Sequence, residues 1–159
     1  MEIITDPKNK ILSSPTQPID HITSNVKSLA NDMYKTMIKN KGVGLSANQV
    51  GCPLSLIVFS DIDHKKRYDL INPKIINVSE TLCEMEEACL SVPGLWGNVI
   101  RPEKITIEAK NLSGKKIKYK FKDLLARVVQ HELDHLSGIL FVDKAKHVYK
   151  QSKYTNHEF

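Results

Sequence analysis

Between residues 22 and 40 the apolar positions Ile22, Val26, Leu29, Met33, Met37 and Ile38 recur at three- and four-residue steps. That spacing places them on one face of an amphipathic α-helix. Ser24 and Asn25 are candidate N-caps, and Gly42 marks the end. Downstream the apolar residues gather in short blocks, LSLIVFSDI, YDLINPKIINV, RPEKITIEAKN and GKKIKYKF, each bounded by Pro, Gly, Asn or Asp. These predict strands. A Ser-Gly turn joins ITIEAKN to KKIKYKF, and strands that follow one another without helices favour antiparallel sheet. The helical period returns near Lys122 or Asp123 and runs through LLARVVQHELDHL to Gly138, with Asp123 available as a cap. The predicted class is α+β, in one domain over residues 1–159 whose polar tail, from about Lys144, is expected to be loosely held.

Composition narrows this little further. With 159 residues, 41% hydrophobic and 26% charged, the chain is long enough to bury a core without disulfides. Its longest apolar runs, Leu56–Phe59 and Ile139–Val142, fall far short of the roughly 20 residues that span a bilayer. The opening MEIITDPKNKIL lacks the layout of a secretory or transit peptide, so export is not expected. The formal charge is +5, with a basic cluster at Lys115–Lys122. Its alternation reads as a strand with one wet face before it reads as a polyanion-binding edge. Three cysteines, Cys52, Cys83 and Cys89, are an odd number, which argues against a disulfide framework and for a reducing compartment.

The second helix carries the candidate chemistry. His131 and His135 lie one turn apart on one face, so both imidazoles can meet one cation while Glu132 reaches a water on it. Chance would place this H-E-x-x-H pattern in such a chain roughly 0.01 times. Leu124, Leu125, Val128, Val129, Leu133 and Leu136 surround the pair, and buried imidazoles without a partner are costly. A hydrolytic centre generally needs a third protein ligand. The metzincin pattern would require histidine at 141, which is Phe141, and the only downstream glutamate is Glu158, in the tail. Cys89 in MEEACLSVPG is the better candidate, although Cys52 and Cys83 have the same local claim.

Three segments in order resemble the signature motifs of peptide deformylases: GVGLSANQVG at 42–51, EACLS at 87–91 and QHELDHLSG at 130–138. The resemblance extends over roughly residues 22–143. Two positions depart from the family pattern, Ser46 where the first motif usually has Ala and Ala88 where the second usually has Gly. The resemblance implies antiparallel sheets packed around a central metal-binding helix, with one divalent metal held by Cys89, His131 and His135. It leans to Fe(II) in the cell, with Zn(II), Ni(II) or Co(II) as substitutes. It further implies removal of the formyl group from the N-terminal N-formylmethionine of new polypeptides. Glu132 would act as general acid and base, and the Gln49 amide and Leu90 N–H would bind the oxyanion. Val43, Gly44, Leu45, Glu87, Leu124 and Val128 would face the substrate, Glu87 in a charged pair with Arg101. Asp134 would orient a ligand or remain solvated. Expected partners are formyl-Met nascent peptides and a transient ribosome contact, without sequence-specific nucleic acid or membrane, and the chain is expected to be monomeric. A bacterial cytoplasm, a phage-infected cell or an organelle would suit it. About 18 residues follow Phe141, so the C-terminal helix of longer bacterial members is expected to be missing or short. The competing readings are another metallohydrolase built on the same helix, and an RNA-binding protein indifferent to chelators.

Overall fold

The computed structural model describes residues 1–150. In chain order the elements are α1 (Ser24–Lys39), β1 (Gly44–Ser46), a short 3-10 turn (Ala47–Val50), β2 (Leu56–Ser60), β3 (Arg67–Val78), β4 (Leu82–Cys89), β5 (Val92–Pro102), β6 (Lys104–Lys110), β7 (Lys116–Lys122), α2 (Asp123–Leu136), α3 (Phe141–Lys144) and β8 (Val148–Lys150). Every strand pairing is antiparallel: one sheet runs β1-β2-β3-β6-β7, the other β4-β5-β8.

Alternation along the strands decides which layer each side chain enters. On β2, Ile57 and Phe59 join Tyr68, Leu70, Ile105, Ile107 and Phe121 against Ala126, Val128 and Val129 of α2. Leu56 and Val58 point the other way, onto Val26, Ala30, Met33 and Met37 of α1. Thus α2 covers one face of the five-stranded sheet, while α1 packs on the other face at its β1-β2 end. The α1 cap is Thr23, whose hydroxyl accepts the Val26 N–H at 3.4 Å; Ser24 and Asn25 already lie inside the helix.

Three details differ from the sequence expectation. The block RPEKITIEAKN is divided between β5 and β6 at Glu103, whose N–H and C=O turn aside to Thr81 and Asp123. Strand β3 accommodates Pro73 through a register shift between Ile71 and Lys74, with Asn72 at φ 49° and its side chain bonded to both the N–H and the C=O of Ile19. The tail is not loose where it is described. β8 pairs with Leu95–Gly97 of β5, and Lys146 and Tyr149 bond Glu84 and Glu86 of β4. Gly97 permits this approach, because a Cβ there would lie 2.8 Å from Ala145 and 2.9 Å from the His147 carbonyl.

Candidate metal centre

Strand β4 turns Glu86 and Ala88 outward and buries Glu87 and Cys89. Cys89 ends the strand, so its thiol faces α2 just before the Leu90-Ser91 turn. The facing helix presents His131 and His135 with ring centroids 5.0 Å apart. His135 Nε2 lies 3.2 Å from Cys89 Sγ, and donor atoms of Cys89, His131 and His135 all fall within 4.8 Å of one another. Cys52 and Cys83 do not join this cluster.

A charged lattice holds the ligands from behind. Glu87, with its side chain 4% exposed, accepts from Arg101 Nε at 2.7 Å and Nη2 at 2.9 Å, and from Arg127 Nη1 at 2.9 Å. Its other partner is His131 Nδ1, at 2.8 Å, which leaves Nε2 free to face a cation. Arg101 also donates to Asp134 at 2.6 Å, and Asp134 accepts from Lys144. Asp134 is therefore neither solvated nor aimed at a metal; it braces Arg101. Burial alone would raise the Glu87 carboxyl, but the bonds from Arg101 and His131 outweigh it and hold it far below the usual carboxylate range. For His131 burial is likewise opposed by the neighbouring Cys89 thiol and Glu87 carboxylate, which raise it to about 10. Burial, reinforced by the neighbouring charge of His131, pushes His135 well below its ordinary value.

Glu132 is 4% exposed, and its Oε2 has no partner. Desolvation raises this carboxyl to about 7, the range of a group that both takes and returns a proton near neutrality. Gly44 makes room for it: a Cβ at that position would sit 2.5 Å from Glu132 Oε1 and 2.9 Å from Val128 Cγ1. The 3-10 turn after β1 is tied to both walls. Gln49 Oε1 accepts from the Ser46 N–H at 2.9 Å and hydroxyl at 2.8 Å, aiming Nε2 at Ser91 Oγ, 3.1 Å, and Cys89 Sγ, 3.5 Å. Asn48 Nδ2 donates to the His135 carbonyl at 2.6 Å.

These groups border a cleft of about 700 Å³. Val43, Gly44, Gln49, Glu87, Cys89, Leu90, Leu124, Val128, His131 and Glu132 line it, and His135 lies behind them. Leu45 does not line it. It pairs with Val58 and packs, fully buried, in the α1 layer, because the residue after Gly44 must face the opposite side of the strand. Arg127 and Trp96, which no motif singles out, also line the cleft, and Ser91 accepts from Gln49. Arg127 carries a signal in the sequence, standing four residues before His131 on the same helix face.

The donor chemistry fits a divalent transition metal. One thiolate and two imidazoles converge, and the unpartnered Glu132 oxygen needs a water beside them. Fold and site together define a metal site of the hydrolase type, with a buried carboxyl raised into the neutral range at its side. Comparison with known proteins gives the family. The polypeptide deformylase family model matches residues 1–151. The peptide deformylase of Halothermothrix orenii is 45% identical over 134 residues, covering 84% of this chain and 86% of that protein. The rice chloroplastic peptide deformylase 1B is 43% identical over 137 residues, of which this chain spans only 51% of the length. Among solved structures, Arabidopsis thaliana peptide deformylase 1B with an inhibitor superposes with a TM-score of 0.87 at 38% identity, covering 92% of this chain and 82% of that one. The chain belongs to the polypeptide deformylase family.

Proposed function

We propose that the chain is a metallohydrolase that removes the formyl group from the N-terminal N-formylmethionine of newly made polypeptides, releasing formate and a free amine. The observation that carries this reading is the buried Glu132 carboxylate, its Oε2 without a partner, beside the Cys89, His131 and His135 donors at the edge of a peptide-sized cleft. A divalent cation on those three ligands would supply Lewis acidity and an activated water at neutral pH. Glu132 takes the proton from the attacking water and hands it to the leaving nitrogen. Gln49 Nε2, held by Ser46, and the Leu90 N–H donate to the oxygen that gains charge in the tetrahedral intermediate. Val43, Leu124 and Val128 form the apolar wall for the methionine side chain, and Gly44 lets the peptide backbone pass close to Glu132. Glu87 stands in the cleft wall behind the ligands. It fixes the His131 tautomer by accepting from Nδ1.

In the same reading α2 is the central metal-binding helix, α1 the supporting amphipathic one, and residues 1–159 are one catalytic domain. Fe(II) is the metal in the cell, and Zn(II), Ni(II) or Co(II) can replace it. The enzyme is a monomer that meets formyl-Met nascent chains and the ribosome transiently, in a bacterial or phage-infected cytoplasm or in an organelle. The test compares release of formate from formyl-Met-Ala-Ser with release of acetate from acetyl-Met-Ala-Ser, by anaerobically purified protein loaded with Fe(II) or Ni(II). Formate release that a chelator abolishes, with the acetylated peptide left intact, is expected. Metal-replete protein that leaves the formylated peptide intact would refute the proposal.

A further inference from the structure

The positive charge of the chain is concentrated in one stretch. Residues 103–123 hold seven lysines against three carboxylates, an excess of four out of the formal +5. On edge strand β7 the odd positions Ile117, Tyr119 and Phe121 pack against the α2 layer. The even positions Lys116, Lys118, Lys120 and Lys122 therefore all point to the opposite face, and all are exposed. Cross-strand pairing extends the row, with Lys104 opposite Lys122 and Lys110 opposite Lys116. Glu108, opposite Lys118, is the one acidic residue within this lattice. Among the described residues, Lys104, Lys116, Lys118 and Lys120 form no ion pair within 4 Å, and Lys122 reaches only the exposed Asp123, at 3.9 Å. At the β6 end, Lys104, Lys120 and Lys122 gather around a hollow of about 530 Å³ that Asn77, Ser79 and Thr106 also line. α1 covers this face of the sheet only at its β1-β2 end, so among the described residues no element lies over the lysine lattice.

We infer that the outer face of β6 and β7 is a docking surface for the phosphate backbone of double-helical RNA. Four ammonium groups spaced about 7 Å apart along the strand match successive backbone phosphates far better than they match a compact anion. The aromatic side chains of β7 face inward, so the lattice offers no stacking platform for single-stranded bases and no donor array for reading sequence. A flat row of lysines without an apolar centre is also a poor interface for an acidic protein. The choice of RNA over other polyanions rests on the proposed reaction, whose substrate emerges where structured RNA is abundant. Contact through this face would hold the chain near nascent N-termini and leave the cleft free, since no lysine of the lattice lines it.

The experiment measures binding of the metal-loaded chain to a fluorescent 16-base-pair RNA duplex between 50 and 200 mM salt, with single-stranded oligouridine and anionic phospholipid vesicles as comparisons. Three to four phosphate contacts are expected to weaken duplex binding about a hundredfold across that range. Lys118→Gln with Lys120→Gln should weaken it about tenfold or more at fixed salt and shallow the salt slope by about two. Lys8→Gln with Lys27→Gln, exposed lysines on the N-terminal segment and α1, should change neither. All variants should release formate from a free formyl tripeptide as the parent does, which separates failure of docking from failure of the reaction. No duplex binding at 50 mM salt, equal losses in both double variants, or preference for oligouridine or vesicles would overturn the proposal.

Discussion

Replacing Glu87 by Gln removes one charge and almost no volume, yet it strikes the group on which the ligand framework converges. In the parent, two guanidinium groups only 4–5% exposed are balanced by Glu87 and by Asp134, itself 14% exposed. Afterwards Asp134 alone remains. Breaking a buried ion pair from one side costs about 3–5 kcal/mol. The lower end applies, because Arg101 keeps Asp134 at 2.6 Å and Arg127 keeps the Val99 and Cys83 carbonyls at 2.8 and 2.6 Å. A loss of about 3 kcal/mol corresponds to a fall in Tm of about 6–12 °C for a chain of this size. The His131 Nδ1 partner weakens too, so metal affinity should drop about 10- to 100-fold. Because Glu87 ionises far more readily folded than unfolded, its stabilisation is full above the ordinary value of 4.5 and drains away as the pH falls through and below it. Denaturant titration of metal-loaded parent and variant from pH 7 to pH 3, with metal competition at pH 7, measures both effects. The parent should lose stability on acidification and the variant should lose less. A variant within about 0.5 kcal/mol of the parent at pH 7, with unchanged metal affinity, would refute the reasoning.

Other expectations follow from single contacts. Gly44→Ala should displace Glu132 or Val128 and cut kcat for a formylated tripeptide at least tenfold while bound metal stays near one per chain; steady-state kinetics beside metal analysis checks this. Leu45→Ala should cost about 2–5 kcal/mol in denaturant unfolding with KM little changed, because that side chain fills the α1 layer rather than the cleft. In the metal-free chain the raised His131 holds a proton that metal must displace, so affinity should climb up to about tenfold per pH unit from 6 to 8, as competition with a chelator can show.

Much of this arrangement is legible in the sequence because it lies on one element or in one contiguous motif. The helical period places His131, Glu132 and His135 together before any fold is known, and alternation gives β7 its wet and dry faces. What is not legible depends on which layer a strand joins. Leu45 looks as good a pocket wall as Val43 until β1 is seen pairing with β2, which turns it onto α1. Asp134 looks solvated on the helix and becomes a bracing group only because Arg101 arrives from β5, 33 residues away. The cysteine is likewise ambiguous in sequence. Cys52, Cys83 and Cys89 separate only when β4 delivers Cys89 to α2. The polar tail follows a different logic: pairing with Gly97 and bonds to Glu84 and Glu86 hold it through Lys150 without an apolar face of its own.

The most direct test of the site is a parallel determination of bound metal and of formate release in the parent chain, Glu132→Gln and Cys89→Ser. The parent should bind one metal and turn over. Glu132→Gln should keep that metal and lose turnover by about 10²- to 10⁴-fold, whereas Cys89→Ser should lose both together. A Glu132→Gln chain that binds metal and still releases formate at the parent rate would contradict the role assigned to the buried carboxylate.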